Sequence, residues 1–307
     1  VTDAFFVCCC SFLLFLGTDC PNIQRLRKPM RLRNKLTTII TRHPLLYYFR
    51  YLLLSKNGKA DKIEFLGCFN DINTKDSIPA RYFEVNRSMN LNPEMETLEK
   101  ALEIGRYLRA NVKGGRGLGL SSEQTLEKML EGRGGVCSDF SQIFCIFCLI
   151  NDIKVKEWGC VDSLYKGSFG HSFNEIYSPE RQTWIAIDIH KSILFKNADQ
   201  RYLSAVELFS TLRAGNPVSF EFFSGYVPPR PERLAWVYSK DTLPFLIDNY
   251  RNVVNDHFCN RFKKYPPIVV NGLMILSRKN YKFVFVLDNY RVKLLPKRLQ
   301  RLPFIGE

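Results

Sequence analysis

Two strand-like runs joined by a short polar stretch constrain this chain more than any other feature. Gly170-His-Ser-Phe-Asn-Glu-Ile-Tyr177 and Thr183-Trp-Ile-Ala-Ile-Asp188 are rich in β-branched and aromatic residues. Ser178-Pro-Glu-Arg181 between them is polar and contains a proline, which reads as a hairpin loop. Symmetric closure of that loop pairs Tyr177 with Gln182 and sets His171 directly opposite Asp188. Directly opposed residues share a face, with Cβ atoms about 5 Å apart, a distance that suits a carboxylate–imidazole hydrogen bond. A slip of one residue would put the two on opposite faces. His190, a diagonal neighbour of His171 on that face, is the runner-up for the catalytic role, although a partly exposed polar histidine past the strand end is the reading preferred.

Upstream, Gly134-Gly135-Val-Cys137 runs into Phe140, Ile143, Phe144 and Phe147, which have helical spacing. The glycines permit a turn, and Cys137 then stands in the first turn of the helix. Unpaired N–H groups and the positive dipole end stabilise a thiolate there. Cys145 and Cys148 lie on the apolar side of the same helix and read as structural. The expected fold is α+β, a cysteine-bearing helix packed on an antiparallel sheet that carries the histidine and the aspartate.

These residue types divide one reaction between them. Cys137 is the candidate nucleophile, His171 the base that accepts its proton and returns it to the leaving group, and Asp188 the group that orients the imidazole. The backbone N–H of Cys137 and the indole N–H of Trp158 are candidate oxyanion donors.

Gly-Gly-Val-Cys137-Ser-Asp-Phe, Gly-His171-Ser-Phe-Asn-Glu-Ile-Tyr and Trp184-Ile-Ala-Ile-Asp188 together resemble the transglutaminase-like superfamily of papain-type thiol enzymes, over about residues 95–215. The resemblance implies a papain-like core and carries Cys137, His171 and Asp188 over as nucleophile, base and orienter. It implies acyl transfer or hydrolysis on a carboxamide or peptide bond through a thioester, with a protein or peptide substrate and no cofactor. Phe173 stands where the family usually has Trp, and Ile189-His190 follow the aspartate in place of Pro or Ala. The run Arg133-Gly-Gly-Val-Cys137 is also similar to the arylamine N-acetyltransferases, which carry Glu where this chain has Asp139. A third reading is a catalytically inactive binding module on the same fold.

Composition bounds the alternatives. The 307 residues carry 46% hydrophobic and 24% charged residues, which is a globular balance. Lys and Arg exceed Asp and Glu by 44 to 30, a net charge of +14. That excess favours anionic surfaces, but no nucleic-acid motif accompanies it, and specific nucleic-acid binding is not expected. The ten cysteines form neither a disulfide framework nor a zinc set, and Cys145/Cys148 is the only Cys-x-x-Cys pair. Read as reduced thiols, they favour a cytoplasmic location.

Along the chain, residues 1–29 read as an apolar leader of doubtful status. Its run Ala4–Gly17 is short for a membrane span. The basic residues Arg25 to Lys35 after it suit peripheral membrane association. Residues 30–94 read as mostly helical, including a buried helix over Pro44–Leu54. Residues 95–227 form the expected catalytic core, with an amphipathic helix marked by Leu98, Ala101, Leu102, Gly105 and Leu108. Lys113–Leu120 is a glycine-rich basic loop that lacks a phosphate-binding signature. Ser121-x-x-Gln124 and Ser204-x-x-Glu207 read as helix caps. Residues 228–307 read as an appendage: a linker at Pro228, Pro229 and Pro231, a helix-like stretch over 240–263, and a hairpin of Val269–Ser277 with Tyr281–Leu287. The cluster Lys297–Arg301 closes it.

Overall fold

A computed structural model describes residues 44–164, 169–225, 232–265 and 267–295. The leader, Arg25 to Lys35, the three prolines at 228, 229 and 231, and Lys297–Arg301 lie outside the described residues. The α-helices are α1 (Pro44–Leu54), α2 (Ala80–Ser88), α3 (Thr97–Asn111), α4 (Ser122–Leu130), α5 (Cys137–Ile150), α6 (Ala205–Arg213), α7 (Glu232–Val237), α8 (Asn252–Arg261), α9 (Pro267–Leu276) and α10 (Tyr290–Lys293). The strands are β1 (Ser55–Asn57), β2 (Val155–Val161), β3 (Gly170–Ser178), β4 (Thr183–Asp188), β5 (Ile193–Lys196), β6 (Ser219–Phe222), β7 (Leu243–Asp248) and β8 (Lys282–Phe285). All eight strands form one sheet in the order β1-β8-β7-β2-β3-β4-β5-β6, antiparallel except for β1 against β8. Among the described residues no helix is long and apolar enough to cross a membrane.

Helices cover both sheet faces. On one face, Phe140, Phe144 and Phe147 of α5 and Leu102 and Leu108 of α3 share a core with Ile176, Ile185 and Ile187. On the other, Leu208 and Phe209 of α6 and Leu234 of α7 pack with Trp158, Phe173 and Ala186. Strands β4, β5, β7 and β8 accordingly carry mostly apolar residues, whereas β2 and β3 bury polar ones, Lys156, Glu157, His171, Asn174 and Glu175 among them. Gly105 of α3 lies where an added Cβ would meet Phe223 Cε2 at 2.9 Å and Ile189 Cδ1 at 3.2 Å, so its smallness is used.

Several expectations need correction. The tail is no appendage: β7 pairs with β2 and β8 with β7, so residues beyond 228 complete the same sheet. The stretch 240–263 contains β7 as well as α8. Pro244 is tolerated because the β7–β8 ladder begins only at Leu246, leaving its missing N–H outside that ladder. Val269–Ser277 belongs mostly to a helix, α9, not to a hairpin strand. Pro267 can open that helix, and Val270 and Met274, four apart, supply its buried side. Helix α1 is only half buried: Tyr51 and Leu54 face the core, whereas Phe49, Leu52 and Leu53 are exposed. Ser121 sits at the start of α4 but makes no side-chain cap. The Asp256 carboxylate of α8 accepts from Ser122 N at 2.7 Å and from its hydroxyl instead. Ser204 and Glu207 do form the expected reciprocal cap on α6.

The turn into α5 is the tightest local requirement. Gly134 has φ +150° and Gly135 φ +115°. A Cβ on Gly134 would lie 2.6 Å from the Arg116 carbonyl oxygen and 2.9 Å from Leu118 Cδ2. That carbonyl cannot withdraw freely, because it accepts from Gly135 N at 2.8 Å. Gly134→Ala should therefore cost about 2–3 kcal/mol in urea unfolding. A loss below about 0.5 kcal/mol would show that the turn tolerates a side chain.

Candidate active site

Strand β3 places His171 one residue inside its start, and alternation puts His171, Phe173 and Glu175 on the face that α6 and α7 cover. Asp188 ends β4 on the same face. The hairpin register differs from the expected one by two residues: Tyr177 faces Trp184, not Gln182, and Ser178 pairs with Thr183. The turn takes in Gln182 in a left-handed conformation, φ +49°, with its N–H bonded to Pro179 O at 3.3 Å. A shift of two keeps the face, where a shift of one would reverse it. The last ladder pair is Asn174 with Ile187, so the position opposite Asp188 is that of Phe173, while His190 lies in the turn after β4 with its ring 5.9 Å from that of His171. Asp188 is therefore the diagonal neighbour of His171. The imidazole spans that diagonal, and its Nε2 lies 2.6 Å from Asp188 Oδ2 with both side chains fully buried.

Asp188 has two further donors. Its Oδ1 accepts from Lys191 N at 2.9 Å, and its Oδ2 accepts from the Tyr238 hydroxyl at 2.7 Å. Burial alone would raise this carboxyl. The charge and hydrogen bond of His171 outweigh burial and bring it down to about 2. The carboxylate thus stays ionised at any physiological pH.

Cys137 is the first residue of α5 and is fully buried. One turn on, Phe140 meets His190 edge-on at 5.3 Å between ring centroids, and the His190 ring lies 5.9 Å from that of His171. The first turn of α5 is linked to His171 through that pair of rings. His190 is partly exposed, yet desolvation and the neighbouring His171 and Lys191 push its imidazole down to about 3, so it is neutral at pH 7. Exposure does not separate Cys137 from Cys145 and Cys148, which are equally buried. Burial drives those two thiols well above their ordinary value.

Trp158 is removed from the candidate oxyanion donors. Its indole Nε1 donates to Glu175 Oε2 at 3.1 Å in the core, while Glu175 Oε1 accepts from Ala205 N at the start of α6. The same carboxylate therefore fixes the indole and caps a helix. Two residues that sequence reasoning missed lie at the site. Cys160 of β2 is directly opposite His171, and Tyr238 follows α7. The register of β2 against β3 would have revealed Cys160. Nothing local marks Tyr238. Among the described residues no cluster of His, Cys, Asp or Glu is arranged to hold a metal.

The structure thus holds a cysteine that opens a helix and a buried histidine–aspartate pair on the sheet. Residues 84–189 match the family model of the transglutaminase-like superfamily, which spans Cys137, His171 and Asp188. A match at that level suggests thiol-dependent acyl transfer or peptidase activity for the matched segment. No curated protein and no solved structure matches the chain.

Asp139, in the first turn of α5, gives the site a measurable pH signature. Its Oδ2 accepts from Val136 N at 2.9 Å and Leu118 N at 3.4 Å, tying the helix start to the glycine loop. Burial nevertheless raises its carboxyl from 3.8 to about 6, against those hydrogen bonds. A raised carboxyl favours the folded state fully below its unfolded value, and that contribution is lost as pH rises through about 6. Unfolding free energy should therefore fall by roughly 2–3 kcal/mol across this window. Asp139→Asn should flatten the fall, and an unchanged profile in that variant would assign it to another group.

Proposed function

We propose that the chain is a thiol-dependent acyltransferase or hydrolase acting on a carboxamide or peptide bond, with Cys137 as nucleophile, His171 as base and Asp188 as orienter. The buried His171–Asp188 hydrogen bond carries this reading. With Nε2 engaged by Asp188, the proton exchange with the thiol falls to Nδ1 in this reading. The Cys137 proton passes to Nδ1, and the thiolate attacks the carbonyl carbon. The tetrahedral oxyanion is held by first-turn N–H groups of α5, that of Cys137 included. Collapse breaks the C–N bond, and the imidazolium returns its proton to the departing amine or ammonia. The resulting thioester is taken by an amine or by water, with His171 now accepting the nucleophile's proton.

The full burial of Cys137 favours one second reading, a module that keeps the fold but admits no substrate. Intact-mass detection of a thioester adduct after incubation with a glutamine-peptide library decides between them. The adduct should form on Cys137 and be absent from Cys137→Ala. Asp188→Asn should retain the fold and lower acyl transfer on the order of 10³-fold or more, by analogy with other triads. No adduct, together with alkylation of Cys137 no faster than of Cys145 and unaffected by His171→Ala, would leave the binding module as the better reading. An acetyl adduct formed only with acetyl-coenzyme A would indicate the arylamine-acetyltransferase chemistry.

A further inference from the structure

Asp188 Oδ2 receives two donors at close range, His171 Nε2 at 2.6 Å and the Tyr238 hydroxyl at 2.7 Å. Tyr238 lies outside the matched family segment, just after α7, and is 1% exposed. An aromatic box fixes its ring: Phe195 lies at 4.7 Å, Phe173 at 5.7 Å and Phe209 at 6.2 Å between centroids, and the His171 ring meets it edge-on at 6.0 Å. Its backbone N–H is bonded to Leu234 O at 2.9 Å. A hydroxyl held this firmly has one direction to point in, and it points at the carboxylate.

We propose that Tyr238 is a positioning residue of the site, one that anchors Asp188 and moderates the pull of its carboxylate on the His171 imidazole. A second donor on the same oxygen withdraws negative charge from the bond that His171 makes. The imidazolium is then less favoured than it would be against Asp188 alone. Burial, and next the charge of Asp188, hold the Tyr238 hydroxyl well above its ordinary value, so it remains protonated and able to donate. The groups that face this pair are His171 from β3, His190 and Lys191 from the turn after β4, Cys160 from β2 and Cys137 from α5. Tyr238 adds a hydroxyl donor to the same Oδ2 that His171 engages. Its consequence for the thiol rests on the reading of Cys137, His171 and Asp188 given above. Its consequence for the imidazole does not.

The test follows the His171 ring by nitrogen-15 NMR titration in the full chain. Tyr238→Phe keeps the ring in its box and removes only the hydroxyl. It should raise the His171 ionisation midpoint by roughly 0.5–1 unit, the scale of one charge-assisted hydrogen bond. The difference should vanish in an Asp188→Asn background, because the coupling runs through that carboxylate. No shift, or a shift that persists with Asp188→Asn, overturns the proposal and leaves Tyr238 a packing residue. Should Tyr238→Phe lose cooperative unfolding, a fluorinated tyrosine introduced at 238 takes its place. Its stronger donation should lower the midpoint, and an unchanged midpoint overturns the proposal equally. The pH profile of Cys137 alkylation, measured alongside, should move with the imidazole. An NMR shift without any His171-dependent limb in the wild-type alkylation profile supports the positioning role and defeats the thiol reading instead.

Discussion

A carboxylate sealed from solvent next to an imidazole is the interaction on which the rest of this structure depends. Isolated, such a charge would protonate or unfold its surroundings. Asp188 remains ionised because His171, Lys191 and Tyr238 all donate to it. Removing one partner of a buried pair typically costs about 3–5 kcal/mol, so these contacts are demands on the fold as well as results of it. The three donors come from separate places: the start of β3, the turn after β4, and the segment after α7. Satisfying all of them fixes the hairpin register, the course of the chain after β4, and the return of the C-terminal region against the sheet.

The same demand reaches α5. This helix is apolar nearly all round, and its residues from Cys137 to Leu149 are almost all buried. It therefore needs the sheet on one side and other helices on the other. Asn174 of β3 joins it to the sheet, donating to Ser141 O at 3.2 Å and to Cys145 Sγ at 3.2 Å. Asp139 and the two glycines set where it starts. Asn151, whose side chain donates back to Phe147 O at 2.8 Å, and the left-handed Asp152 set where it stops. Position, not exposure, distinguishes Cys137 from the other thiols of this helix. It stands at the end where backbone N–H groups converge, one turn before Phe140, whose ring meets that of His190.

Much of this was legible because it is local. The spacing of Phe140, Ile143, Phe144 and Phe147 announces α5, and the two strand-like runs announce β3 and β4. The Ser204–Glu207 box announces α6. The face shared by His171 and Asp188 was also legible, because strand alternation survives a register error of two residues. The register itself was not, since it turned on whether Gln182 joins the loop in a left-handed conformation. The donor role given to Trp158 failed for a similar reason. A buried indole needs an acceptor, and sequence does not say that Glu175, at its diagonal across β2 and β3, supplies it.

The C-terminal region was misread because its partner strand disguises its own position. Every residue of β2 is buried, and a strand so enclosed needs a neighbour on both edges. Yet β2 carries Lys156 and Glu157, charged residues that do not announce a strand enclosed on both edges. Lys156 is hidden by other means: its Nζ donates to Ile63 O at 2.8 Å and lies 3.7 Å from the centre of the Trp184 ring. Glu157 is buried between its strand partners, Asn174 of β3 on one edge and Ile247 of β7 on the other. Once β2 is recognised as central, another strand must fill its open edge, and β7, from beyond β6, is that strand. The chain that delivers β7 to β2 passes through α7 and Tyr238. The closure of the sheet and the third donor to Asp188 are therefore one event, set by contacts distant in sequence and invisible to any local pattern.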